Sequence, residues 1–233
     1  MQIPESEPVS QPDWLTKRRR LDSLLRLQAA MLSGEPATGE TIRVLADALT
    51  DRDSEVRELA AAALYEMGPA AAAALPELMT AIGDENIVVR RRAARVLGLL
   101  QDQADDVLAA LINASDDPDL SVSLQAVSSL GELGSAAASA IPAIMAVFWT
   151  GDTRRRAIAG VALVRIGSPA VPALVQSLRH PSADIRCKAA MIIGRIGCAA
   201  IEAEATLLRM LESKDEGVRV AAGEALAAIR ASQ

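Results

Sequence analysis

Residues 53–68 read Asp-Ser-Glu-Val-Arg-Glu-Leu-Ala-Ala-Ala-Ala-Leu-Tyr-Glu-Met-Gly. Counted from Arg57, the residues Val56, Ala60, Leu64 and Met67 stand at offsets −1, 3, 7 and 10. That spacing puts them on one side of a helix with 3.6 residues per turn. Asp53 suits the N-cap, where its carboxylate can accept from free backbone N–H groups. Gly68 suits the C-cap, where a left-handed backbone costs glycine little. The stretch therefore predicts a helix of about 14 residues with one apolar stripe and a defined start and stop.

The same pattern recurs outward from this stretch. The arginine position moves from 57 to 90, 123 and 156 in steps of 33, then to 186 by 30 and to 219 by 33. Arg90, Arg156, Arg186 and Arg219 keep the residue type, and Ser123 departs from it. The third offset reads Ala60, Ala93, Ala126, Ala159, Ala189, Ala222, and the seventh reads Leu64, Leu97, Leu130, Leu163, Ile193, Leu226. The eleventh carries Gly68, Gly134, Gly167 and Gly197. A shorter helix precedes each long one, opened by Pro76, Pro142 or Pro172 where a proline marks it. No single helical pair can bury its stripe alone. Stacked pairs can, which predicts an all-α, right-handed α-solenoid (superhelix) of about six helical-pair repeats over residues 41–230.

The motif Asp-x-x-Val-Arg-x-x-Ala-x-x-x-Leu-x-x-Met-Gly at 53–68 resembles the HEAT-like repeats of phycobilin lyase subunits and of many bacterial proteins. The resemblance covers nearly the whole chain. It implies one repeat domain over 13–233, and lyase subunits among its members imply chromophore (bilin) attachment as an alternative role. Outside the repeat register, residues 13–33 read as a capping helix with Trp14, Leu21, Leu24, Leu25 and Leu32 on one face. Residues 1–12, with three prolines and two glutamates, read as a disordered tail.

Composition narrows the function. Half of the 233 residues are hydrophobic, yet there are only two Trp, one Tyr and one Phe. A net charge of −6 argues against nucleic acid and anionic membrane as partners. No apolar run is long enough to span a bilayer, and no signal peptide is visible, so a cytoplasmic protein is expected. Cys187 and Cys198 make no disulfide framework, and the one histidine, His180, stands in a turn before Pro181. With no cluster of metal ligands and no nucleophile–base set, neither catalysis, a metal nor a cofactor is expected. HEAT-repeat hydroxylases of the deoxyhypusine type carry several His-Glu pairs that this chain lacks. Cys187 could be an exposed reactive thiol or simply a small residue on the helix. The repeated arginines suggest a ladder of hydrogen bonds with the acidic residue four before each, and the Lys17–Arg20 run suggests a solvated face.

A non-enzymatic scaffold or adaptor is the reading that remains. Long helices are expected to line the concave face, with offsets 1, 5 and 8 pointing away from the core. That places Tyr65, Leu124, Val161, Val164 and Met191 in a partner groove, flanked at offsets 2 and 9 by Arg92, Arg165 and Arg195. Such a groove suits an acidic amphipathic segment of another protein. The sparsely charged last helix also allows a homodimer through the C-terminal end.

Overall fold

The computed structural model describes residues 13–33 and 38–231, with side chains from Thr16 onward. The expected tail at 1–12 and the side chain of Trp14 lie outside the described residues. Every regular element among the described residues is helical. Short and long helices alternate, and together they make an all-α solenoid. The expected capping helix is α1 (Asp13–Leu32). The short helices are α2 (Gly39–Leu49), α4 (Leu75–Ala81), α6 (Ala104–Ala114), α8 (Ile141–Thr150), α10 (Val171–Ser177) and α12 (Glu204–Met210). The long helices are α3 (Ser54–Glu66), α5 (Ile87–Leu97), α7 (Leu120–Glu132), α9 (Thr153–Ile166), α11 (Ala183–Ile196) and α13 (Glu216–Ala231).

The chain divides into two compact units, Met1–Ala93 and Ala94–Gln233, where the sequence reads as one repeat domain. In the first, α1 and α2 both pack on α3. The basic run of α1 takes part: Lys17 Nζ lies 2.8 Å from Asp53 and 2.9 Å from Glu55, and Arg20 Nε lies 3.0 Å from Asp51. Two members of a run expected to be a solvated face thus tie α1 to the start of the first repeat. Lys17 and the backbone N–H groups of Glu55 and Val56 hold the Asp53 carboxyl below the usual carboxylate range. In the second unit, successive long helices stack, α7 on α9, α9 on α11, α11 on α13. The predicted stripe is the core: Ala126, Leu130, Ala159, Leu163, Ala189, Ile193 and Ala222 are all fully buried.

Caps form where the sequence places them. Asp53, Asn86, Asp119, Asp152 and Asp215 each accept a backbone N–H from the first turn of their own long helix. Gly68, Gly134, Gly167 and Gly197 are the positive-φ residues among those described. At Gly167 and Gly197, however, φ/ψ are 79°/−138° and 73°/−143°, outside the left-handed helical well expected for a cap. The chain leaves the helix through a region open to glycine alone and enters a 3-10 turn, Ser168–Ala170 or Gly197–Ala203. The small-residue loops between repeats are therefore ordered 3-10 turns, whose Ala74, Ala137, Ala140, Ala170 and Ala200 are fully buried.

Candidate interaction face on the long helices

Glycine decides how closely the long helices approach. A Cβ on Gly98 would lie 2.6 Å from Ser129 Cβ, one on Gly131 would lie 2.7 Å from Ala162 Cα, and one on Gly194 would lie 3.0 Å from Ala225 Cα. These glycines stand at offset 8 and their contacts at offset 6 of the next repeat. Offset 8 therefore faces the neighbouring long helix rather than solvent. At the junction of the fourth and fifth repeats, offsets 8 and 6 are Val164 and Ile192, and the small residue moves one turn back to Gly160. A Cβ there would lie 3.1 Å from Ile192 Cδ1. Close packing is kept with the bulk redistributed.

This corrects part of the expected groove. Leu124 is 6% exposed and belongs to the core. Val164 is half-buried at the repeat junction. Tyr65 and Arg92 belong to the other unit, where both are half-buried and Arg92 donates to the Glu58 carbonyl. An apolar ridge remains in the second unit: Val161 on α9, Met191 on α11 and Val220 on α13 are 39%, 56% and 52% exposed. Beside it, a groove of about 250 Å³ between α7 and α9 is lined by Ser128, Ala157, Ile158, Val161 and the Glu132–Arg165 ion pair. Arg195, one turn beyond Met191, is exposed. Lys188 is tied to Asp184 at 2.6 Å.

The repeated arginines have a structural role different from the expected ladder. Asp53, Asp152 and Asp215, four before their arginines, cap their own helices instead. Four of the arginines reach back to carbonyls of the loop before their own helix: Arg57 to Asp51, Arg90 to Asp84, Arg186 to His180 and Arg219 to Ser213, each at 2.8 Å, while Arg156 reaches the Phe148 carbonyl of α8 at 2.9 Å. Arg57 also grips Asp84 with Nε and Nη2, at 2.7 and 2.9 Å. Trp149 on α8 is 38% exposed and donates its indole N–H to the buried Ser177 hydroxyl at 2.9 Å. Sequence spacing gives no sign of that bond, because its partner stands 28 residues away.

Among the described residues, no group of three or more His, Cys, Asp and Glu side chains could hold a metal ion. His180 Nδ1 accepts the Ser182 N–H within its own turn. Cys187 is half-buried, and burial, with Asp215 nearby, pushes its thiol up, away from the reactive thiolate. No described helix is long and apolar enough to cross a membrane.

The family model for HEAT repeats matches residues 75–164 and 171–233. No curated protein matches the chain. Among solved structures, the chain is similar to one chain of the complex of CpcE and CpcF of phycocyanin lyase from Nostoc sp. PCC7120. That likeness has 22% identity and a TM-score of 0.53, covering 98% of this chain and 100% of that one. It is also similar to the archaeal HEAT-like repeats protein from Thermococcus onnurineus NA1, at 13% identity and a TM-score of 0.52 over 97% and 99% of the two chains. A designed armadillo repeat protein aligns at 18% identity and a TM-score of 0.53, over 79% and 98%. At these identities the likenesses speak for the fold, and the family match extends over more than half of the sequence. The chain belongs to the HEAT repeats family.

Proposed function

We propose that this chain is a non-enzymatic adaptor that binds a protein segment across the long-helix face of the Ala94–Gln233 unit. A HEAT-repeat solenoid fits a protein-interaction role, and one observation carries the finer reading: Val161, Met191 and Val220 stay exposed on three successive long helices. Large apolar side chains repeated on one face are costly to leave in water, at about 25 cal/mol per Å² of apolar surface. The basic edge at Arg165 and Arg195 favours a segment that alternates apolar anchors with acidic residues. Arg165 already shares Glu132, so it contributes directed N–H donors more than free charge.

The test is selection of a displayed library of amphipathic helical segments against the intact chain. Selected segments should share acidic and apolar positions and lose about tenfold or more in affinity on Val161→Asp or Met191→Asp, with helical content unchanged. Selection of no segment, or of segments indifferent to both changes, overturns the reading. The likeness to the phycocyanin lyase complex motivates a second reading, a subunit in chromophore attachment. A shifted absorption band on mixing the chain with a bilin would favour it.

A further inference from the structure

The offset six before each arginine position reads Asp51, Asp84, Asp117, Thr150, His180, Ser213 along the six repeats. At the first junction this column supplies a carboxylate to the preceding repeat: Asp84 holds both Nε and Nη2 of Arg57. At the fourth, where the column holds His180, Arg156 finds a different carboxylate, Asp184, at 3.0 Å. At the fifth, the column holds Ser213, and among the described residues no substitute carboxylate meets Arg186. Arg186 donates only through Nη1, to the carbonyls of His180 and Pro181, each at 2.8 Å. The Nε and Nη2 groups that grip a carboxylate on Arg57 bond to none on Arg186 among the described residues.

Arg186 also lines a cleft of about 400 Å³. Arg179 and Arg209 line it beside Arg186, with Ser213 where the aspartate would stand. Arg209 donates to the Thr206 hydroxyl at 3.1 Å, and Arg179 has no ion-pair partner among the described residues. Leu178, Met210 and Val218 form an apolar wall, and no lining residue is acidic. The nearby Asp215 turns Oδ1 to the Val218 N–H, 3.1 Å away, as the cap of α13.

We infer that this cleft binds a phosphate monoester, whose oxygens take the place on Arg186 that the Asp84 carboxylate holds on Arg57. Planar guanidinium groups bind phosphate oxygens in pairs, and three of them in one cleft favour a dianion over a single carboxylate. The apolar wall suits an organic group on the ester. The site does not depend on the long-helix ridge and stands or falls separately from it.

Calorimetric titration of the intact chain with phenyl phosphate, and with a phosphoserine peptide, tests the inference. Saturable binding is expected, weakening steeply with salt and falling about tenfold or more in Arg186→Gln. The decisive variant is Ser213→Asp, which restores the carboxylate of the first junction. It should abolish binding while its melting temperature stays level or rises, so that loss of binding cannot be loss of fold. Tighter binding of the peptide identifies the source as a phosphorylated protein, and tighter binding of phenyl phosphate identifies a small ester. Absence of binding by both probes, or equal affinity in both variants, overturns the inference.

Discussion

Gly131 shows what a single hydrogen atom decides in this fold. Its missing Cβ lets α7 approach α9 until the position a methyl would fill lies 2.7 Å from the Ala162 Cα. Backbone cannot yield as a flexible side chain would, so Gly131→Ala should cost about 1–3 kcal/mol, measured by denaturant unfolding. Gly39 has nothing within 4 Å of its Cβ position, and Gly39→Ala should cost nothing by the same measurement. At Gly167 the constraint is conformational: with φ at 79° and ψ at −138°, Gly167→Ala should cost about 1–3 kcal/mol although open space surrounds it. The sequence marks Gly68, Gly134, Gly167 and Gly197 as stops because their column repeats. It does not mark Gly98, Gly131 and Gly194 as contact points. A helix projection separates core from surface within one helix and carries no information about which surface the next helix covers. Leu124 was misplaced for the same reason.

At the scale of the element, each long helix is set by its cap, its stripe and its arginine. Phe148 on α8 is fully buried and is the largest such side chain. Phe148→Ala should lower stability by about 3–5 kcal/mol. Charge acts at the helix starts. Asp53 is held down by Lys17 and by backbone N–H groups, and Asp152 by the backbone N–H groups of Arg155 and Arg154. A carboxyl with a lower pKa folded than unfolded stabilises fully above the ordinary carboxylate value, about 4. That contribution is lost as pH falls through the folded value. The melting temperature should therefore drop between about pH 5 and about pH 3. Asp53→Asn keeps the cap oxygen but cannot titrate, and should drop less over that range. The caps were legible in sequence because Asp or Asn recurs four before the arginine position; Ser182, in the same column, makes no side-chain cap bond. The arginines' carbonyl contacts were not, because their acceptors are backbone atoms without a sequence signature.

At the scale of the whole molecule, repetition made the architecture readable. Six copies of one column pattern leave little freedom in how the stripe is buried, and an all-α solenoid follows from it. The proposed interaction face lies where the copies differ. Val161, Met191 and Val220 replace the polar or small residues that other repeats place on the same face, such as Arg91 and Ser128. The division into two compact units has no counterpart in the sequence, since the repeat register runs unbroken through Ala93 and Ala94. The measurement closest to the proposed interaction face is methyl NMR of the intact chain with labelled valine and methionine, titrated with a selected acidic amphipathic segment. The proposed face predicts shifts at Val161, Met191 and Val220, while the exposed Val44 of the other unit stays unmoved. Shifts confined to other methyls, with those three unchanged at saturation, would contradict it.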